Sequence, residues 1–224
     1  MIKAIFWDND GVLVDTEHLY FEACRDALRQ VKVELSLADF VHRSLNLGQS
    51  PLALATGQGV SEATLKNLRH YKNERYAQLL REGALPMGGV VETLSSLQGK
   101  VAMAIVTSSQ RDHFELIHRP NGLLHYFDFI LTREDYQNSK PDPEPYLKAL
   151  KMSGFCAEEC LVVEDTRRGL EAARRAGLRC VVLPNRLAPN APFEGAFRVL
   201  RDLRELPSLI HGPNSSKNHI PTTA

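Results

Sequence analysis

The sequence predicts an α/β protein with a Rossmann-like parallel sheet of five strands and an inserted all-helical cap. Short apolar runs alternate with helical stretches through most of the chain, which is typical of a parallel sheet covered on both faces. The strands are expected at residues 3–7, 101–106, 128–131, 161–164 and 180–183. The gap between the first two strands is far longer than the dozen or so residues that a parallel crossover needs, so it must hold a subdomain.

The inserted segment has the periodicity and punctuation of a small helical domain. Its helices are expected at residues 16–30, 37–45 and 65–80, and Pro86, Gly88 and Gly89 mark the return to the core. Further helices are expected at residues 90–97, 110–118, 144–152 and 169–176. We therefore predict a core of residues 1–15 and 86–210, a cap of residues 16–85 and a polar, flexible tail of residues 211–224.

The composition argues against several classes of protein. The 224 residues include 27 basic and 27 acidic side chains, so the basic excess of a nucleic-acid-binding protein is missing. No apolar run reaches the roughly 18 residues of a membrane helix, and the N-terminus carries no signal-peptide pattern. The four cysteines form no Cys-x-x-Cys pair. We expect a cytoplasmic monomer with reduced thiols and without nucleic-acid or membrane partners.

Four of the predicted strands end in side chains suited to phosphate chemistry. In chain order these are Asp8 and Asp10, then Thr107, Ser108 and Ser109, then Lys140, and finally Glu164 and Asp165. Ligands of open α/β sheets bind at the carboxyl ends of the strands, so these groups are expected at one edge. Two acids separated by one residue repel each other, and Mg²⁺ is the cation that carboxylate oxygens favour. Gly11 permits a tight turn after the acids.

These motifs resemble those of the haloacid dehalogenase superfamily of phosphotransferases. Its first motif matches Asp8-Asn9-Asp10-Gly11-Val12-Leu13, its second Thr107-Ser108, its third Lys140 and its fourth Glu164-Asp165. Residues 164–177 are similar to the subgroup of β-phosphoglucomutase and many sugar-phosphate phosphatases. The resemblance covers most of the chain. It implies the sheet order fifth, fourth, first, second, third strand, which brings the four motifs together.

The resemblance also implies catalytic roles for three residues. Asp8 would attack phosphorus and become an aspartyl phosphate, a form of carboxylate nucleophilic catalysis. Asp10 would protonate the leaving oxygen and then deprotonate the attacking water. Lys140 would offset charge between the nucleophile and the phosphate.

Binding residues follow from the same resemblance. The phosphoryl oxygens would be held at the second strand end by Thr107, Ser108 and Ser109. Mg²⁺ would be bound by Asp8, the Asp10 carbonyl and Asp165, with Glu164 supporting it through water. In the cap, Lys72 falls where β-phosphoglucomutase has a basic residue, although a surface lysine explains it equally well.

Plainer interpretations stand beside these assignments. The acids and hydroxyls could cap turns or helices, and Lys140 could be a solvated loop residue. Four arginines are better explained as a solvated helix face, and two cap histidines as surface residues: Arg167, Arg168, Arg174 and Arg175, with His18 and His42. Asn9 departs from the apolar or aromatic residue usual in the family, and its side chain is expected to point away from the chemistry.

The sequence favours a Mg²⁺-dependent phosphatase acting on a small phosphorylated metabolite such as a sugar phosphate. A phosphomutase is the closest alternative. In β-phosphoglucomutase an arginine after a cap glycine grips the second phosphate, whereas Gln49, Ser50 and Pro51 follow the equivalent Gly48 here. A non-catalytic sensor of phosphorylated metabolites is an alternative of another class, and it would be expected to lose one of the two acids.

Overall fold

A six-stranded parallel sheet forms the centre of the molecule in the computed structural model, which describes residues 1–211. Its strands are β1 (Ala4–Trp7), β2 (Ala102–Val106), β3 (Phe129–Leu131), β4 (Cys160–Glu164), β5 (Arg179–Val182) and β6 (Arg198–Val199). Their order is β3-β2-β1-β4-β5-β6, and every neighbouring pair is parallel. The predicted fold class and the order of the first five strands are confirmed.

The central strand β1 is apolar throughout because both faces of the sheet are covered. Alternate side chains of a strand point to opposite faces. Ile5 and Trp7 accordingly belong to one apolar cluster, and Ala4 and Phe6 belong to the cluster on the other face. All four side chains are at most 1% exposed. The burial of both faces removes any polar alternation from the sequence, which is why a continuous apolar run marked this strand.

Nine α-helices accompany the sheet within the described residues. They are α1 (Glu17–Arg29), α2 (Leu37–Phe40), α3 (Ala53–Thr56), α4 (Glu62–Gly83), α5 (Val90–Leu97), α6 (Arg111–Asn121), α7 (Glu144–Ser153), α8 (Arg167–Arg175) and α9 (Leu206–His211). A π-helical segment, Val41–Asn46, continues α2. Helix α4 begins earlier than predicted because Ser61 caps it, accepting a hydrogen bond from the Thr64 amide at 3.2 Å.

Helices α1 to α4 lie in the segment predicted to form the cap, and they enclose an apolar cluster of their own. Leu28, Phe40 and Leu45 are at most 1% exposed within it. The two segments through which the chain leaves and re-enters the core lie side by side. The Asp15 amide of the first donates to the Leu85 carbonyl of the second at 2.9 Å. Asp15 and Leu85 adjoin the two boundaries predicted between core and cap, and the division into core and cap stays a prediction.

Several sequence expectations need correction or completion. The sheet has a sixth strand, which the sequence did not reveal because β6 is only two residues long and exposed. Residue 211, the predicted start of the tail, ends α9, and residues 212–224 lie outside the described part. All four cysteines are free thiols. Between residues 1 and 211, no helix combines the length and the apolar character that crossing a membrane requires.

Candidate active site

A buried lysine joins two carboxylates at the carboxyl edge of the sheet. Lys140 is 3% exposed, and its Nζ donates to Asp8 Oδ1, Glu164 Oε1 and the Val106 carbonyl, each at 2.8 Å. Tyr146 also donates to Glu164 Oε1, at 2.5 Å. The three motifs that contain Asp8, Lys140 and Glu164 are therefore in direct contact, and the interpretation of Lys140 as a solvated loop residue is wrong.

Burial and neighbouring charges shift the pKa values of these groups. It raises the pKa of Asp8 to about 7, the Glu164 charge adds to that effect, and Lys140 opposes it. Burial also raises the pKa of Asp165 well above its usual range, with the Asp8 charge as the next cause. For Lys140, burial favours the neutral amine, but the carboxylates of Asp8 and Glu164 prevail and raise its pKa. One lysine does not balance this many acids, so the site is suited to a further cation.

Carboxylate oxygens of Asp8, Glu164 and Asp165 lie within 4.8 Å of one another. Asp165 accepts a hydrogen bond on Oδ2 from Asn185 Nδ2 at 2.5 Å, while its buried Oδ1 has no partner in residues 1–211. An orphaned acceptor in an all-oxygen cluster fits a hard divalent cation such as Mg²⁺. Gly11 makes room for the cluster, since a Cβ at this position (φ +80°) would lie 1.9 Å from Asp165 Oδ2.

Hydroxyl groups from core and cap surround the Asp10 carboxylate. Ser109 Oγ donates to its Oδ2 at 2.6 Å, and Thr107 Oγ1 lies 3.4 Å from the same oxygen. Thr16 Oγ1 donates to Oδ1 at 2.5 Å, and the Tyr76 hydroxyl reaches Oδ1 at 3.5 Å. Asp10 therefore lies where three parts of the chain meet. They are the carboxyl ends of the core strands, the connection to the cap and helix α4.

The loop after β2 is held by its own hydrogen bonds. Thr107 is fully buried, its Oγ1 accepts from the Ser109 amide at 3.0 Å, and Tyr136 donates to its carbonyl at 2.7 Å. The Ser108 hydroxyl is buried and has no partner within the described chain. Helix α6 begins only at Arg111, so these hydroxyls do not cap it.

Lys72 lies on the cap side of the site, and two aromatic side chains separate it from Asp10. Its Nζ is 3.5 Å from the Tyr20 hydroxyl and 4.9 Å from the centre of that ring. Tyr20 packs edge-on against Tyr76 at 5.2 Å, and Tyr76 reaches Asp10. Burial lowers the pKa of Lys72. The structure therefore brings this residue near the site without direct contact to the core motifs.

Two further charged residues near the site, Glu17 and Arg168, were not predicted to take part in it. Glu17 is buried at the start of α1, and burial followed by the Asp10 charge raises its pKa to about 8. The positive charge of Arg168 opposes this rise in the pKa of Glu17. The buried Nε of Arg168 has no hydrogen-bond partner in residues 1–211. A Cβ at Gly48 of the cap would lie 3.4 Å from Arg168 Cδ and 2.9 Å from the Lys140 carbonyl. Cap and core are therefore in close contact here.

The expectation that Arg168 belongs to a solvated helix face is consequently wrong. Arg167, Arg174 and Arg175 are exposed as predicted, and so are His18 and His42. The signal for Arg168 is its place in the first turn of α8, four and three residues after Glu164 and Asp165 of the fourth motif. Asn185, also missed, follows the end of β5, the one predicted strand end at which no candidate was sought.

Asn9 differs from its expected orientation. Its side chain is fully buried, but its Nδ2 lies 3.3 Å from Asp10 Oδ2, so it does contact the second acid.

Comparison with known proteins agrees with this geometry. The sequence profile of the family described as haloacid dehalogenase-like hydrolase matches residues 5–183. The chain belongs to the haloacid dehalogenase-like hydrolases. The match spans the four motifs and the segment inserted after the first of them.

Two curated phosphatases and one crystal structure are similar to most of the chain. The validoxylamine A 7'-phosphate phosphatase of Streptomyces hygroscopicus subsp. limoneus is 32% identical, covering 92% of this chain and 96% of that protein. The phosphorylated carbohydrates phosphatase of Thermotoga maritima is 34% identical over 79% of this chain and 82% of its own. The crystal structure of CbbY from Rhodobacter sphaeroides in complex with phosphate aligns with a TM-score of 0.80 at 25% identity, covering 92% of this chain and 96% of the other.

Family membership and these relatives identify the enzyme as a hydrolase of the phosphatase type.

Proposed function

We propose that the protein is a Mg²⁺-dependent phosphatase that hydrolyses a small phosphorylated metabolite through an aspartyl-phosphate intermediate. The observation that supports it best is the position of Asp8. Its carboxylate lies 2.8 Å from the Lys140 ammonium, and a second acid, Asp10, follows two residues later. A buried carboxylate beside a fixed cation suits attack on phosphorus, and the neighbouring acid suits proton transfer.

The first step is transfer of the phosphoryl group to Asp8. The carboxylate attacks phosphorus, the bond to the leaving oxygen breaks, and Asp10 gives its proton to that oxygen. Lys140 reduces the repulsion between the carboxylate and the phosphate. Thr107 and Ser108 donate to the phosphoryl oxygens, and the orphaned hydroxyl of Ser108 is free for this.

In the second step Asp10, now ionised, takes a proton from water as the water attacks phosphorus. The bond between phosphorus and the Asp8 oxygen breaks, which releases phosphate and restores the carboxylate. Asp8, Asp165 and the Asp10 carbonyl would bind Mg²⁺, with Glu164 beside them. When bound, the cation would neutralise charge on the transferring phosphoryl group.

A phosphorylated carbohydrate is the substrate class that we favour. Relatives with the names given above act on such molecules, and a CbbY mutant has been solved in complex with xylulose-(1,5)bisphosphate. Near the site, Lys72 of α4 offers an amine, Arg168 of α8 a guanidinium and Glu17 of α1 a carboxyl group. Such groups suit a ligand rich in hydroxyls better than an apolar one.

A screen of phosphorylated metabolites tests the proposal, with released phosphate measured in Mg²⁺ and in excess chelator. We expect turnover of at least one sugar phosphate with Mg²⁺ and none with chelator. The control is Asp8→Asn, which keeps the shape of the side chain and removes the nucleophile. Full activity of that variant, or full turnover in chelator, would contradict the proposal.

A further inference from the structure

A buried hydrogen-bond chain runs from helix α6 to Asp10. His118 Nε2 lies 2.6 Å from Asn9 Oδ1, and Asn9 Nδ2 lies 3.3 Å from Asp10 Oδ2. Asn9 is fully buried and His118 is 2% exposed. The two residues are far apart in the sequence: His118 belongs to α6 and Asn9 follows β1, so their hydrogen bond joins these two segments.

The direction of each hydrogen bond is fixed by chemistry. A carboxylate accepts only, so the Asn9 amide nitrogen must face Asp10 and its oxygen must face His118. The histidine therefore donates from Nε2. Burial lowers the pKa of His118 to about 4, which leaves the ring neutral with a single N–H. Its other nitrogen, Nδ1, is buried without a partner in residues 1–211, so nothing there competes for the proton.

We propose that His118 and Asn9 are positioning residues that hold the Asp10 carboxyl group in its orientation for proton transfer. This inference rests on the role of Asp10 in the proposed function. The other core donors to Asp10, Ser109 and Thr107, stand beside the predicted phosphate site and can turn to a bound phosphate. Asn9 is sealed in the core, so its N–H stays with Asp10 when substrate is bound.

Asn9→Leu removes the donor to Asp10 and supplies an apolar residue of similar volume. The single change leaves His118 Nε2 buried and unpaired, which costs stability by itself. The double variant Asn9→Leu/His118→Phe replaces both partners by apolar groups and avoids that cost. His118→Gln is the conservative variant, because its side-chain N–H can still donate to Asn9 Oδ1. Thr93→Val is the matched control, since it removes a buried hydroxyl that donates to the Gly89 carbonyl at 2.7 Å in α5.

The measurement is kcat/KM for a series of aryl phosphates, from p-nitrophenyl phosphate to phenyl phosphate. This constant reports phosphoryl transfer to Asp8. Phenolate is more basic than p-nitrophenolate, so its departure depends more strongly on the proton from Asp10. A misplaced acid therefore lowers kcat/KM selectively for phenyl phosphate. We expect a loss of about 10-fold for phenyl phosphate in Asn9→Leu and in the double variant, with p-nitrophenyl phosphate nearly unchanged. His118→Gln and Thr93→Val should behave as wild type.

Asp10→Asn separates failure of this inference from failure of the proposed function. If Asp10→Asn shows the selective loss and the double variant does not, the positioning role is wrong while the acid role of Asp10 stands. If Asp10→Asn shows no selective loss, the acid role fails and the inference fails with it. An equal loss on all aryl phosphates in the double variant would indicate a purely structural role and would also overturn the inference.

Discussion

At the scale of single residues, Asp10 is the acid that the structure surrounds most closely with donors. Four hydroxyl groups and one amide contact its two oxygens. Such a cage holds one orientation of the carboxyl group, and orientation is what a general acid and base needs.

We therefore expect Asp10→Asn to lower kcat by at least about 10²-fold while phosphate still binds. The amide keeps the shape of the side chain and the backbone carbonyl, but it carries no transferable proton. Steady-state kinetics with Mg²⁺ and the inhibition constant of inorganic phosphate would measure the two effects. Turnover within about threefold of wild type would show that another group performs proton transfer.

At the scale of elements, the first turn of α1 contains the buried Glu17. Its pKa is raised from 4.5 to about 8 in the folded protein, chiefly by burial. The folded state thus holds a proton that the unfolded chain releases above about pH 4.5. Stability from this group is fully present below that pH and is lost as the pH rises through about 8.

Glu17→Gln should remove this pH dependence, because the amide is neutral throughout. In chelator, its thermal midpoint should match wild type near about pH 5 and exceed it by at least about 3 °C near about pH 8.5. Glu62→Gln, an exposed change in the first turn of α4, is the control. A constant difference between Glu17→Gln and wild type across this range would rule out a protonated Glu17.

The first turn of α8 contains the other unexpected charge, Arg168. Burial separates the Nε of this guanidinium from water, and no partner in residues 1–211 accepts its hydrogen bond. An oxygen of the substrate can accept that hydrogen bond. We expect Arg168→Gln to raise KM for a sugar phosphate about 10-fold, with kcat and the constants for p-nitrophenyl phosphate little changed. Arg174→Gln is the matched control, since Arg174 is exposed and pairs with Glu171 at 3.3 Å. Equal KM values in both variants would remove Arg168 from substrate binding.

Elements also show where sequence reasoning succeeds. The alternation of strands and helices along the chain was sufficient to predict that Asp8, Lys140 and Glu164 lie at one edge of the sheet. The reason is that the carboxyl ends of parallel strands lie at the same edge. The pairs Asn9–His118 and Asp165–Asn185 were missed. Each joins side chains from distant segments, and nothing local distinguishes a histidine that faces an amide from one that faces solvent. A short exposed strand such as β6 has no apolar signal either.

At the scale of the whole molecule, the contact between cap and core bears on the reaction class. A mutase must hold a second phosphate while the sugar reorients, and the cap segment Gln49-Ser50-Pro51 provides no guanidinium for it. We expect hydrolysis to prevail. With β-glucose 1-phosphate and a bisphosphate primer, phosphorus NMR should show phosphate and little glucose 6-phosphate.

Rapid formation of glucose 6-phosphate without phosphate release would overturn that expectation. In that case Arg168→Gln should abolish the conversion if the core arginine replaces the missing cap arginine. The Arg174→Gln control should then retain it.

The place of β1 in the sheet has a consequence for biosynthesis. Ile5 pairs with Met103 on one side and with Leu161 on the other, so the strand precedes both partners in the chain. At about 5–20 residues per second, a ribosome needs roughly 5 to 20 s to reach the first partner and longer to reach the second. Helices α1 to α4 emerge in that interval and can close their own apolar cluster. During that interval we expect the nascent chain to carry β1 as an apolar strand without its partners, which exposes it to aggregation or to binding by a chaperone.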